Sequence, residues 1–406
     1  MLIPKIAFRN IFRQKKRSIF TGLAIMGGFA LSSISIGWGV GAYSNIIEIF
    51  TNNELGQIQI HAQGYLDKPS LYKSVKHFEE VGKKLNEMPE VIKWAPRIYT
   101  GALASVGEKS AGVQLIGIDP ERENIATNFE KKIIEGKLFK KNHYKHIVIG
   151  QGLRNLLKTG VGQEIVLISQ AADGSMANNV YKISGIMKSD SGAVKDRMSL
   201  YMNILEAQNF LVMYNKAHEI VIMIEDINRV RKTASTISKK LDDPGLDVQP
   251  WQVFAKYFYD AMKADLNGMW ISLFVIILMV SIGVLNTVLM SVLERRKEYG
   301  LLKALGTNPK QIFMLVMYEV TILTFISMFV GSIISTGFNY YLSVVGFDLG
   351  MEFSYGGMSF GQMYGTITAD SYYIPAIAVL FSAWIVSLFP AISAARVDPA
   401  KTMRTQ

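Results

Sequence analysis

Few residues in this chain are spaced to do chemistry, and most reaction types can be set aside at once. His143 and His146 stand three apart, a spacing that suits two metal ligands, but they lie in a Lys-rich loop without a nearby pair of carboxylates. No serine, histidine and acid can be argued into a nucleophilic arrangement. No Gly-x-x-x-x-Gly-Lys-Ser/Thr stretch exists to cradle nucleotide phosphates. There is no cysteine, which removes thiol chemistry, thiolate metal sites and disulfides together. The expectation is a non-catalytic chain with no cofactor of its own. Two features remain. Glu319 is the one ionisable residue within four long apolar runs, and pairing with Arg9 or Arg13 near the N-terminus is its plainest role. Between the second and third runs, Ser291 to Phe313 alternates charged and aliphatic residues in a segment too short to be a domain.

The elements that hold these residues follow from the runs themselves. Half of the 406 residues are apolar, and they collect at 19–44, 266–293, 312–342 and 372–394, each long enough to cross a hydrocarbon core that needs about 20 residues. The first run is too long for a signal-peptide core and no clear cleavage site follows it, so a retained anchor is expected. The predicted fold class is a polytopic α-helical membrane protein of four transmembrane helices, with a large α+β extracytoplasmic domain between helices 1 and 2.

Orientation follows from Lys and Arg. Lys5, Arg9, Arg13, Lys15, Lys16 and Arg17 precede or enter the first run, and Arg295, Arg296, Lys297, Lys303 and Lys310 fill the 294–311 loop. Arg396, Lys401 and Arg404 lie in the 395–406 tail, while the 343–371 loop has none and carries Asp348, Glu352 and Asp370. Both termini, including the amphipathic segment 1–18, are therefore expected in the cytosol. Residues 45–265 lie outside. The net charge of +10 is mostly this topological signal: 45–265 holds 29 basic against 26 acidic residues, so no nucleic acid is expected as a partner.

Within 45–265, Gln57–His61 alternates as a half-buried strand, and a helix is expected over 72–88. Strands are expected at 91–99, 113–118, 165–169, 180–186, 218–224 and 246–250, with helices at 151–158 and 227–241. Asp173-Gly174 marks a hairpin between two of these strands. Strand–helix–strand order recurs at both ends of the insert, which predicts one subdomain built from the two ends and a strand-rich one from 120–205. Trp251–Asn267 reads as a helix running unbroken into the second span. Small residues at Gly37 and Gly41, and at Ser327, Gly331 and Ser335, allow close helix packing, within the bundle or across a dimer.

From Glu294 the pattern places Tyr299, Leu302 and Leu305 near one face, with Gly306 as the residue that ends the helix and Asn308-Pro309 as cap and first residue of the next. A basic segment beside the membrane can simply bind anionic lipid. The order Glu-Arg-x-x-Glu-Tyr-Gly-x-Leu-Lys-Ala-Leu-Gly, however, resembles the coupling segment of FtsX-like/MacB-type ABC transporter permeases. Ala7–Thr21 resembles their N-terminal elbow helix and Phe389–Ala400 their C-terminal exit, while Gln57–Tyr65 and Gly160–Ile165 are similar to the MacB-like periplasmic domain; Gln163 stands where that family has an acid. The layout is most similar to the permeases of the lipoprotein-releasing system.

The resemblance implies a permease in the inner membrane of a bacterium, moved by a separate cytosolic ABC ATPase dimer, which would bind ATP and Mg, and a second permease of the same or a related chain. It implies a lipoprotein or other amphiphilic substrate and a periplasmic carrier. Glu294, Arg295, Glu298, Tyr299, Gly300, Leu302, Lys303 and Gly306 would meet the ATPase, with Leu302 as an apolar knob. A substrate chamber would form around Val40, Tyr43, Ile46, Ile47, Phe258, Met262, Leu266 and Met269 of two permeases, although these residues could equally pack the two stalks together. Two alternatives stay open: an efflux permease for peptides or drugs in a tripartite system, and a signal transmitter that activates a periplasmic hydrolase.

Overall fold

The computed structural model describes residues 2–13, 15–188, 198–355 and 358–399. The chain divides into two compact units. One comprises residues 1–45, 262–348 and 362–406; the other comprises 46–261 and 349–361. In chain order the elements are α1 (Leu2–Arg13), α2 (Lys15–Phe50), β1 (Ile58–Ala62), β2 (Val75–Lys76), α3 (Phe78–Asn86), β3 (Val91–Val106), β4 (Lys109–Ile118) and α4 (Pro120–Thr127). There follow β5 (Ile133–Gly136), β6 (His146–Gly150), α5 (Gln151–Leu157), β7 (Glu164–Gln170), β8 (Met176–Met187), β9 (Ser199–Asn203), α6 (Ile204–Leu211), β10 (Lys216–Ala217), β11 (Glu219–Ile224), α7 (Val230–Leu241) and β12 (Leu246–Pro250). The chain closes with α8 (Trp251–Phe254), α9 (Lys256–Glu294), α10 (Arg296–Ala304), α11 (Pro309–Val344), β13 (Phe347–Tyr355), β14 (Met358–Met363) and α12 (Asp370–Ala395).

The helical unit is built from α2, α9, α11 and α12, each long and apolar enough to cross a membrane. Its polarity is reversed relative to a water-soluble bundle. Phe274, Met279, Phe329, Ile333, Ile377 and Phe381 are exposed, while Ser32, Ser33, Thr324, Ser335 and Ser387 are buried. Hydrocarbon as solvent explains this, because apolar side chains gain nothing by leaving it whereas hydroxyls do. The core lies where Ile25 and Phe29 of α2, Val284 of α9, Val320 of α11 and Ala383 of α12 meet. The small residues serve this packing. A Cβ on Gly28 would lie 2.0 Å from Val280, one on Gly37 2.8 Å from Asn339, and one on Gly41 2.4 Å from the Gly365 backbone.

The second unit is organised on one ten-stranded sheet of order β12-β1-β11-β3-β4-β9-β6-β8-β5, with β7 pairing β3 and β8. Strands from both ends of the insert interleave, since β1 lies between β11 and β12. The stretch expected to be a separate subdomain shares the same sheet, because β3 is long enough to pair with β11 at one end and β7 at the other. The Asp173-Gly174 hairpin forms between β7 and β8, where Gly174 has φ +86° and the Asp173 carboxylate accepts from the Ser175 N–H at 2.9 Å.

Two element expectations change. The helix read over 72–88 is α3 alone, starting at Phe78, because the short strand β2 takes residues 75–76. The stalk before the second span is broken: α8 ends at Phe254, its cap residue Ala255 has φ −105° and ψ 41°, and α9 begins at Lys256. The 343–371 loop is partly structured, as β13 and β14 form a two-stranded sheet.

Candidate functional site

The coupling segment becomes α10, a nine-residue helix between two long ones. Its end is a Schellman turn: the Gly306 N–H donates to Lys303 O and the Thr307 N–H to Leu302 O, both at 3.0 Å. Gly306 has φ +95°, which glycine adopts without steric cost. Asn308 then caps α11 with Pro309 at its first position, and Gln311 completes a capping box. These two caps set the reversal between α10 and α11.

The inner face of α10 is tied down. Arg295 is buried and donates through Nη1 to both Glu319 oxygens, at 2.8 and 3.0 Å, and through Nε to Glu298 at 3.0 Å. Its guanidinium lies 5.1 Å from the Tyr299 ring centroid, and Tyr299 is fully buried. Asn10 of α1 donates to Glu319 at 2.6 Å, Arg13 pairs with Glu298, and Arg17 of α2 pairs with Glu294. Lys303 donates to Ala395 O and Val397 O at 3.1 and 2.7 Å, which closes the carbonyl end of α12. Expected partners of Glu319 are thus corrected: α1 does reach it, through Asn10, while the ion pair comes from Arg295. Arg13 is engaged with Glu298 instead.

Electrostatics in this network run against burial. Burial pushes the Glu298 carboxyl up, but the Arg295 and Arg13 guanidiniums outweigh it and hold it below its ordinary value. Burial, with the nearby Glu319 charge, pushes the Tyr299 phenol well up, so it stays neutral. Tyr299 and Glu319 also line a cavity of about 50 Å³.

The eight residues expected to meet the ATPase therefore divide. Arg295, Tyr299 and Gly300 are buried, and Lys303 is occupied within the chain. Leu302 is half-buried against the helical core, so it is no knob. Glu298 is half-buried and paired with Arg295 and Arg13, and Glu294 and Gly306 are exposed. The exposed apolar residues are Leu301 (55%) and Leu305 (76%), beside exposed Arg296 and Lys297. Helical periodicity could have found Leu301, since it stands opposite Tyr299 and Leu302 once those are assigned inward. Of the residues named for a substrate chamber, Ile46, Phe258 and Met262 are buried within the single chain, and Val40, Tyr43, Ile47, Leu266 and Met269 are half-buried. Phe258 stacks on Phe50, with centroids 3.9 Å apart.

Comparison with known proteins covers both units. The MacB-like periplasmic core domain matches residues 18–240, and the FtsX-like permease C-terminal region matches 270–399. The chain is 22% identical to the lipoprotein-releasing system transmembrane protein LolC of Neisseria meningitidis, over 97% of this chain and 96% of that one. It is 24% identical to an uncharacterized ABC transporter permease of Methanocaldococcus jannaschii, over 99% and 97%. It is also 22% identical to the macrolide export ATP-binding/permease protein MacB of Campylobacter jejuni, where 98% of this chain covers 60% of that protein. Among solved structures, the periplasmic region of MacB from Actinobacillus actinomycetemcomitans aligns with a TM-score of 0.39 and 14% identity, over 52% of this chain and 95% of that one. The chain belongs to the family of FtsX-like/MacB-type ABC transporter permeases.

Proposed function

We propose that this permease extracts lipoproteins from the outer leaflet of the bacterial inner membrane, driven by a separate ATPase dimer that acts on α10. The observation that carries the proposal is the two-sided character of that helix. Its outer face offers Leu301 and Leu305 among basic side chains, a surface suited to docking in a cytosolic groove. Its inner face is bound to α1 and the end of α12, and its cap residue Arg295 to α11, by charged hydrogen bonds, while Arg17 of α2 pairs with Glu294 at the end of α9. A push on the outer face would then move these helices together. Both α2 and α9 continue as single helices of 36 and 39 residues, about 54 and 58 Å at 1.5 Å per residue. Rods of that length carry displacement from the cytosol to the extracytoplasmic domain, so substrate need not pass through the membrane. The lipoprotein substrate is favoured by layout, since this chain spans nearly the whole of the LolC relative.

Replacing both Leu301 and Leu305 with Asp should abolish copurification of the ATPase or uncouple its hydrolysis, while permease abundance in the membrane stays within about twofold. Arg296 and Lys297 changed to Ala should weaken the same association less, because rim charges contribute mainly to encounter rates. Normal binding and transport by the double Asp variant would reduce the segment to a lipid-facing basic helix.

A further inference from the structure

We infer that the mixed sheet carries a groove for an extended stretch of polypeptide, floored by Gly101 and Gly112. The transport reading above supplies the source of that peptide, the substrate itself. The groove is an open cavity of about 1060 Å³ in the β-rich unit, walled by Tyr65, Leu66, Leu71, Leu103, Ile168 and Phe254.

The two glycines make the case. They lie inside β3 and β4, where Gly101 is registered with Gln114 and Gly112 with Leu103. Alternation along paired strands puts Tyr99, Gly101, Leu103, Gly112 and Gln114 on one face, and all five line the cavity. Glycine inside a strand costs stability, so a reason is needed. Neither has a left-handed φ, and a Cβ on either would meet nothing within 4 Å. Gly82 and Gly117 differ, because a Cβ there would lie 2.0 Å from Trp94 and 2.5 Å from Ala207. Those two are required by packing within the chain. Gly101 and Gly112 are not, which leaves the close approach of a backbone from outside.

The surroundings fit a peptide better than an acyl chain. On the side of β3 away from β4, β11 pairs only as far as Arg97 and β7 only from Leu103, so among the described residues no strand covers 98–102 there. Side chains approach that edge instead: the Tyr99 N–H donates to His218 Nδ1 at 2.9 Å, and the Gly101 carbonyl accepts from Ser169 Oγ at 2.8 Å. Gln114 lines the groove with an Oε1 that has no partner, and a rotation of the amide offers it to a backbone N–H. Among the described residues Glu219 is the one charged side chain in the lining, and it is turned to Arg97 at 3.2 Å and accepts from the Tyr99 hydroxyl at 3.1 Å. An uncharged chain with hydrogen-bonding backbone and apolar side chains satisfies these walls; an acyl chain would leave Gln114 unmatched.

The test uses the full permease with its ATPase in cells. A photo-reactive p-benzoylphenylalanine is placed at Leu103, on the rim, or at the half-buried Ile47, and adducts are identified by mass spectrometry. Gly101→Val should leave permease abundance unchanged and its thermal midpoint no lower, because an added Cβ meets nothing within 4 Å; Gly112→Ala is the milder second variant. We expect Leu103 to capture the same acylated protein as Ile47, through its polypeptide, and Gly101→Val to cut the Leu103 yield at least tenfold. Capture at Ile47 alone, or Leu103 adducts only to lipid or to another permease copy, overturns the groove and spares the lipoprotein reading. A Leu103 adduct with an unacylated polypeptide, lost in Gly101→Val, supports the groove and overturns the lipoprotein reading. No substrate adduct at either position overturns both.

Discussion

Arg295 lies between two carboxylates and over a tyrosine ring, and each neighbour changes what the others cost. A buried guanidinium alone would be prohibitive at a membrane surface; Glu319 and Glu298 make it a structural joint. The same logic recurs in the sheet, where buried Arg97 meets Glu123 at 2.6 Å and Glu219 at 3.2 Å, and Tyr99 donates to Glu219 at 3.1 Å. Next to this cluster His218 is fully buried. Its Nδ1 accepts from Tyr99 N–H, so its Nε2–H donates to Leu71 O at 3.1 Å, a neutral ring. Burial holds its pKa below the ordinary 6.5, assisted by His61 and opposed by the Leu71 bond. A histidine depressed in the folded state stabilises fully above about 6.5 and loses that contribution as pH falls below it, because the unfolded chain then binds the proton more readily. The thermal midpoint of the detergent-solubilised permease should therefore drop between pH 7.5 and 5.5, and His218→Gln should shrink that drop. An equal drop in both proteins would contradict the assignment.

At the scale of elements, close packing of the spans depends on particular glycines. Gly41 meets the Gly365 backbone, where the Thr366 N–H also donates to Gly37 O at 3.0 Å, whereas a Cβ on Gly27 would touch nothing. Gly41→Ala should destabilise the helical unit by about 1–3 kcal/mol, the usual cost of overpacking, while Gly27→Ala should be neutral or stabilising. Thermal unfolding of the two variants in detergent distinguishes them, and equal midpoints would contradict internal packing as the role of this stripe. These contacts also show what a sequence can convey. Four spans, α10, Gly306 and the Asn308-Pro309 cap were legible because apolar run length and cap chemistry are local. The inward turn of Leu302 was not, since it depends on Arg295 meeting a carboxylate 24 positions away. The break at Ala255 lacked a signal because no Gly or Pro marks it. The continuous sheet was hidden for a similar reason: strand pairing between β1 and β12 spans the whole insert, and no residue type encodes it.

At the scale of the molecule, the proposal requires α10 and the β-rich unit to lie on opposite sides of the membrane. The chain is free of cysteine, so single cysteines at Ser175 and Thr307 can report sidedness. An impermeant maleimide on intact spheroplasts should label Ser175→Cys and spare Thr307→Cys; the reverse pattern would overturn the orientation. The central claim is that hydrolysis by a partner ATPase, delivered through α10, removes a lipid-anchored protein from the bilayer. Proteoliposomes containing the permease, its ATPase and a radiolabelled acylated lipoprotein test it most directly, with a soluble carrier outside to accept the acyl chains. ATP should move lipoprotein into the soluble fraction with the wild-type permease, and the Leu301→Asp, Leu305→Asp variant should lower that release at least tenfold. Lipoprotein that stays in the bilayer while the wild-type complex hydrolyses ATP, or release that is unchanged in the variant, would contradict the account.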